Sequence, residues 1–265
     1  MPKLRLAELV NKQQLKPDIF KFCVKAPEII ETAKPGNFIE IRVTEETEPF
    51  LRRPISIYNM NKEKGELEFI FQVKGKGTKI LAKKEVGDLI DIIGPLGYGT
   101  FKYEGEEKKN LAIIGGGIGI FPLYELAKCA KIDGKRIHTY LGFRSKENVI
   151  LEDEFKEFSD DITITTDDGT YGKSGFAIEY LQKDLEKNNI DTIYACGPLP
   201  MLKAIQKLSI EKQISCQISL EEKMGCGMGI CLGCAVKTAS STQENPQYWH
   251  VCKAGPVFNA KDVEI

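Results

Sequence analysis

Four of the chain's eight cysteines fall in its last 40 residues, spaced Cys226-x4-Cys231-x2-Cys234-x17-Cys252. Whatever the chain folds into must accommodate that loop. The first three cysteines have the C-x4-C-x2-C spacing of a [2Fe–2S] site, with the fourth ligand arriving later. The run Met224-Gly225-Cys226-Gly227-Met228-Gly229-Ile230-Cys231-Leu232-Gly233-Cys234 is rich in glycine. A loop around a cluster must turn several N–H groups towards sulfur, and its tight wrap needs positive φ values that glycine accepts at little cost. A cluster of this kind moves one electron at a time, which marks the chain as an electron carrier. Three other readings stay open. A four-cysteine zinc knot would normally show two paired CxxC knuckles. Disulfides would require an exported chain, and Met1-Pro2-Lys3-Leu4-Arg5 opens no apolar signal segment. Four buried structural cysteines are the third.

At 265 residues the chain has room for two domains and a small appendage. Its 37 basic and 38 acidic residues leave no basic excess for nucleic acid, and no apolar run approaches membrane-spanning length. The expectation is a cytoplasmic protein in a reducing compartment. Cys23, Cys129, Cys196 and Cys216 lie mostly in apolar segments and read as buried core thiols.

The first hundred residues alternate short apolar runs with Pro and Gly turns. Strands are expected over 4–10, 19–24, 38–43, 55–58, 67–73 and 89–93, interrupted by a single helix over 78–84. Six strands at this spacing suggest a small antiparallel β-barrel. Near Lys108 the pattern changes. Leu111-Ala112-Ile113-Ile114 is a continuous apolar run, as in a strand buried on both faces. Strands over 137–143, 162–166, 192–196 and 216–220 then alternate with helices over 120–131, 175–185 and 199–208. That alternation predicts a Rossmann-like parallel sheet covered on both faces. The resulting fold class is β + α/β, with a barrel over 1–104, a nucleotide domain over 105–220 and a cluster domain over 221–265.

Four segments outside the cysteine loop carry candidate chemistry. In Arg52-Arg53-Pro54-Ile55-Ser56-Ile57, an arginine before a strand can grip a pyrophosphate with two parallel hydrogen bonds, and the serine can reach a ring nitrogen. In Lys74-Gly75-Lys76-Gly77-Thr78, glycines at a helix start expose N–H groups to an anion, while Thr78 either caps the helix or holds a phosphate. Each alone is also an ordinary surface feature; together they suggest one phosphate-bearing cofactor on the barrel. Gly115-Gly116-Gly117-Ile118-Gly119 follows the buried strand and opens a helix, which suits a pyrophosphate or, equally, tight strand–helix packing. Ala195-Cys196-Gly197-Pro198 also ends a strand and opens a helix, so Cys196 would lie near a nicotinamide. A nucleophilic Cys196 is disfavoured, because the two histidines, His138 and His250, lie far from it in sequence. His250, two residues before Cys252, is either a cluster-tuning group or a surface residue.

These motifs, in this order and followed by C-terminal cysteines, resemble the ferredoxin–NADP reductase superfamily, in which a barrel holds a flavin and a second domain binds a nicotinamide nucleotide. Arg53, Pro54, Ile55 and Ser56 match its R-x-[YF]-[ST] flavin motif, with Ile55 in the usual aromatic slot. Over essentially the whole chain the nearer resemblance is to the family of electron-transfer subunits of two-component, NAD-linked dihydroorotate dehydrogenase. The resemblance rests on Arg52-Arg53-Pro54-Ile55-Ser56, Gly75-Lys76-Gly77-Thr78, Ser219-Leu220-Glu221-Glu222-Lys223-Met224-Gly225-Cys226-Gly227 and His250-Val251-Cys252-Lys253-Ala254-Gly255-Pro256-Val257-Phe258. It implies [2Fe–2S] ligation by Cys226, Cys231, Cys234 and Cys252. It also implies FAD contacts at Arg53 to Ser56, at Ile70, Phe71 and Gln72, and at Gly77 and Thr78. NAD is expected at Gly115, Gly116, Gly117, Gly119, Cys196, Gly197 and Pro198. The implied partner is an FMN-containing catalytic subunit that oxidises dihydroorotate in pyrimidine biosynthesis, two copies of each making a heterotetramer.

A nicotinamide exchanges two electrons together and an iron–sulfur cluster one, so a flavin belongs between them. No acid–base residue is expected; Ser56 is the best candidate for tuning hydride transfer. NAD is expected over NADP, because Asp167 and Asp168 would repel a 2′-phosphate, although Arg136, Arg144 and Lys146 could receive one. The alternatives are a flavin/iron–sulfur subunit of a sulfide dehydrogenase, hydrogenase or NADPH:ferredoxin complex, and a flavin-free zinc-binding regulatory module.

Overall fold

The computed structural model describes residues 2–105, 107–185 and 187–265; within the expected boundary at 104–110, Glu106 lies outside the described residues. The chain forms two compact units. One comprises Met1–Thr100, Glu221–Ala235 and His250–Pro256, the other Phe101–Leu220, Val236–Trp249 and Val257–Ile265. The cysteine-rich tail, expected as one segment over 221–265, is shared between them.

In the first unit six strands close into an antiparallel barrel: β1 (Lys3–Lys16), β2 (Ile19–Lys25), β3 (Phe38–Arg42), β4 (Arg53–Asn61), β5 (Glu66–Gln72) and β6 (Leu89–Leu96), in the order β1-β2-β5-β4-β3-β6. Closure removes the sheet edges that an open six-stranded sheet would leave unpaired. Strand alternation fills the interior. Leu67, Phe69 and Phe71 of β5 pack with Ile39 and Ile41 of β3, Ile57 of β4 and Phe22 of β2. Two helices accompany the barrel, α1 (Pro27–Ile30) and α2 (Lys76–Leu81). Only the second is expected from the sequence. Pro27 sets the first turn of α1, and Ile29 and Ile30 are buried in the barrel core.

The second unit is built on β7 (Asn110–Gly116), β8 (Arg136–Phe143), β9 (Asp161–Thr166), β10 (Lys173–Ser174), β11 (Thr192–Cys196) and β12 (Ser215–Ser219). Its helices are α3 (Phe121–Ile132), α4 (Glu152–Lys156), α5 (Ala177–Leu185) and α6 (Leu199–Glu211). The tail adds β13 (Ala235–Thr238), β14 (Tyr248–His250), β15 (Val257–Asn259) and β16 (Val263–Glu264). The main sheet runs β10-β9-β8-β7-β11-β12-β15. From β10 to β12 it is parallel, but β15 pairs antiparallel with β12, an edge strand that the parallel expectation missed. β14, β13 and β16 form a small separate sheet. Leu111 to Ile114 of β7 are fully buried, as the central position of their strand demands. From β7 the chain winds outward through β8 and β9, then returns to place β11 on the other side. The reversal lies between β7 and β11, where open α/β sheets bind ligands at their carboxyl ends. Among the described residues no helix is long and apolar enough to cross a membrane.

Candidate redox and nucleotide sites

The first unit brings all four predicted cluster cysteines together. Cys226 is half-buried, Cys231 exposed, and Cys234 and Cys252 buried. Backbone hydrogen bonds place them as two neighbouring pairs, Cys231 beside Cys226 and Cys252 beside Cys234. Among the described residues no three His, Cys, Asp or Glu side chains converge on one metal position. Two pairs suit a two-iron cluster, in which each iron takes two thiolates, better than a tetrahedral zinc.

The backbone completes the site. The N–H groups of Met228, Ile230 and Cys231 point at Cys226 Sγ at 3.3–3.4 Å, and Gly229 N–H at Cys252 Sγ at 3.1 Å. Cys252 N–H reaches Cys234 Sγ at 3.4 Å. Burial opposes ionisation of Cys226, but those three N–H donors outweigh it and lower its pKa. Burial and the neighbouring Cys234 raise that of Cys252. The expected positive φ values occur at Gly227 (+67°) and Gly229 (+80°), and also at Leu232 (+61°), which composition did not single out. Cys252 is presented by a turn in which the His250 carbonyl accepts from Lys253 and Ala254 N–H, both at 2.9 Å. That turn is tied to the end of the barrel: Tyr98 N–H bonds Lys253 O and Gly99 N–H bonds Gly255 O, each at 2.9 Å.

The barrel also unites the two predicted flavin segments. Arg53 begins β4, and its guanidinium lies directly against Gly77 in the first turn of α2. A cation and the unpartnered N–H groups of a helix start therefore face one place, which suits a phosphate. Thr78 takes the capping role, one of the two expected for it. Its hydroxyl accepts from Lys74 N–H (2.9 Å) and Gly75 N–H (3.1 Å) and donates to Gly75 O (3.2 Å), so it braces the turn. Arg52 forms a bidentate pair with Asp91 of β6 at 2.9 and 3.0 Å, fixing the start of β4. Of the remaining predicted contacts, Ile55 is partly buried and packs against the barrel core, and Phe71 lies within it. Pro54 and Ser56 occupy the alternate positions of β4 and are half-buried. Ile70 is buried outside that core cluster, and Gln72 Nε2 donates to Asp18 Oδ2 at 2.7 Å.

In the second unit both glycine turns stand at the reversal point. Gly115 and Cys196 are register partners on β7 and β11. A Cβ on Gly116 would meet Pro198 Cδ at 2.8 Å, and one on Gly119 would meet Gly197 Cα at 2.5 Å. These glycines thus serve close packing of the two turns against each other. Gly117 differs: its φ is +55° and the space around it is open. A short 3-10 turn over Gly117–Ile120 precedes α3, which begins one residue later than expected. Cys196 is buried, in keeping with a non-nucleophilic role.

The specificity candidates separate. Asp168 Oδ1 accepts from Thr170 N–H (3.0 Å) and Thr170 Oγ1 (2.6 Å), so its carboxylate also braces its own turn, while Asp167 and Asp168 are both exposed. Arg144 and Lys146 follow β8 on the same edge and are exposed. Arg136 starts β8, roughly 25 Å of strand away, and cannot join them.

The comparisons agree with this layout. The oxidoreductase FAD-binding domain matches residues 6–103, and the oxidoreductase NAD-binding domain residues 113–207. The iron-sulfur cluster binding domain of dihydroorotate dehydrogenase B matches residues 221–264, which decides against zinc. The electron transfer subunit of dihydroorotate dehydrogenase B (NAD(+)) from Bacillus cereus (strain Q1) is 38% identical over 260 residues, 97% of each chain. A solved NADH-dependent reduced ferredoxin-NADP oxidoreductase superposes with a TM-score of 0.84 at 32% identity, over 98% of this chain and 90% of that one. The cytochrome b5 reductase domain of Ulva prolifera nitrate reductase shares the fold, with a TM-score of 0.64 at 22% identity over 82% and 96% of the two chains. With FAD-binding, NAD-binding and iron–sulfur domains in series and that identity along almost its whole length, the chain belongs to the family of electron-transfer subunits of NAD-linked dihydroorotate dehydrogenase B.

Proposed function

We propose that this chain carries electrons between a dihydroorotate-oxidising, FMN-containing partner subunit and NAD, in the cytoplasm, as part of a heterotetramer serving pyrimidine biosynthesis. The supporting observation is the cysteine loop, with four thiols in two pairs and five backbone N–H groups aimed at sulfur, on the same chain as the Arg53–Gly77 anion site. When bound, a flavin exchanges two electrons with a nicotinamide and single electrons with a [2Fe–2S] cluster. The chain's own residues bind and orient. Cys226, Cys231, Cys234 and Cys252 ligate iron, and Arg53 with the start of α2 holds the FAD phosphates. The turns at Gly115–Gly119 and Cys196–Pro198 receive the nucleotide. Functional segments over 1–104, 105–220 and 221–265 follow from these assignments. No residue is assigned as a general acid or base.

The test is reconstitution with the partner. The complex should reduce NAD at the expense of dihydroorotate, and the chain alone should pass electrons from NADH to a dye. A complex that is inert with dihydroorotate would refute the assignment. A second reading is supported by the 32% identity to an NADH-dependent reduced ferredoxin-NADP oxidoreductase. Reduced ferredoxin as the working donor, or a kcat/KM favouring NADPH over NADH, would select it.

A further inference from the structure

Glu40 is a carboxyl in an unexpected place. In β3 the alternate residues Ile39 and Ile41 fill the barrel core, so Phe38 and Glu40 face outward. An outward carboxylate on a barrel ordinarily meets water. Glu40 is only 1% exposed, and both Oε atoms are buried without a hydrogen-bond partner. What covers it is the cluster loop: a Cβ built on Gly227 would stand 2.5 Å from Glu40 Oε1 and 2.6 Å from its Cγ. Gly227, the residue after the ligand Cys226, thus has its φ of +67° and lies directly on this carboxyl. Arg52 makes no hydrogen bond to that carboxyl. That guanidinium is committed to Asp91, and its one approach to Glu40, at 3.5 Å, is to the backbone carbonyl. Burying an unpaired carboxyl is costly, and an apolar side chain like that of Phe38 would fill an outward position without that cost.

We propose that Glu40 is a positioning residue for the iron–sulfur centre: seated under Gly227, its carboxyl acts through the Cys226 loop and holds the cluster at a more negative reduction potential. The inference rests on the cluster assignment made above. A negative group fixed in a dry site beside the loop disfavours the arrival of a further electron on the cluster, with little water to screen it.

The test uses the full chain with cluster and FAD in place, in alkaline buffer, with the cluster midpoint read by redox titration monitored by electron paramagnetic resonance. Glu40→Gln keeps the volume and removes the charge; Glu40→Leu removes the polarity as well. Both should load wild-type iron and acid-labile sulfide and shift the cluster midpoint to more positive values, while the FAD absorption spectrum stays unchanged. A wild-type midpoint in Glu40→Gln would overturn the proposal. So would loss of the cluster from Glu40→Gln, since the residue would then be needed for holding the cluster and not for setting its potential. If Glu40→Leu does not fold, Glu40→Gln decides alone. Absence of iron from the wild-type chain would instead refute the cluster assignment itself, so the two failures are distinguishable.

Discussion

Gly77→Ala tests the flavin site through the packing of Arg53 against the start of α2. A Cβ at position 77 would stand 2.7 Å from Arg53 Nη2 and 2.8 Å from its Cζ, with Nε closer still. The obstructing atoms are the far end of a flexible side chain, so the guanidinium yields and the barrel does not. The fold should lose little, and replacing Gly by Ala inside a helix stabilises by up to about 1 kcal/mol. The anion site, however, loses its cation from the start of α2. A hydrogen bond to a charged group contributes about 1.5–3 kcal/mol. At about 1.4 kcal/mol per tenfold, FAD should bind roughly 10- to 150-fold more weakly. Arg53→Ala should fall in the same range, and the double variant should be no weaker than Arg53→Ala alone, because the two changes remove one interaction. Arg53→Lys should rescue only in part, since a point charge replaces a planar fork. FAD affinity by fluorescence titration of the deflavinated chain, with thermal unfolding alongside, measures both effects. Wild-type affinity in Gly77→Ala, or additive losses in the double variant, would refute the reasoning.

Gly119→Ala places a Cβ 2.5 Å from Gly197 Cα and 2.7 Å from its nitrogen; backbone cannot yield as a side chain does, so about 1–3 kcal/mol of stability and most NADH affinity should be lost, with FAD retained. Unchanged KM for NADH in that variant would mean the two turns do not shape the nucleotide site. Cys231→Ser should abolish the cluster and electron flow from the partner, while NADH-dependent dye reduction persists; full iron content in this variant would refute the ligand assignment. Met228, Ile230 and Leu232 are 44%, 76% and 60% exposed beside the cluster cysteines, an apolar patch suited to the partner. Leu232→Glu should dissociate the complex with the FAD spectrum intact, and co-elution at wild-type coupling would place the docking surface elsewhere.

Local pattern carried far in this chain. Cysteine spacing alone singled out four thiols that the fold brings together, because a cluster loop demands specific side chains at distances that short-range geometry enforces. Short apolar runs between Pro and Gly turns marked six barrel strands, and the apolar run over 111–114 marked the centre of the parallel sheet. Each signal reflects burial of a strand on one face or two, which the residues of that strand express by themselves. The antiparallel β15 was invisible, since three residues carry no periodicity and their partner β12 lies some forty residues earlier. Tertiary structure alone decided which glycines serve φ and which serve approach: Gly227 and Gly229 take positive values, whereas Gly116 and Gly119 leave room for the turn after β11. It also decided what individual side chains do. Thr78 braces a turn, Phe71 fills a core, Asp168 closes its own loop, and Arg136 stands at the wrong end of its strand. Glu40 was the least legible of all. An acidic residue between Ile39 and Ile41 on a barrel strand reads as solvent-facing, and it is buried only because a loop nearly two hundred residues away folds over it. Sequence determines which face of a strand a residue occupies; what covers that face depends on contacts between distant segments, which no local pattern records.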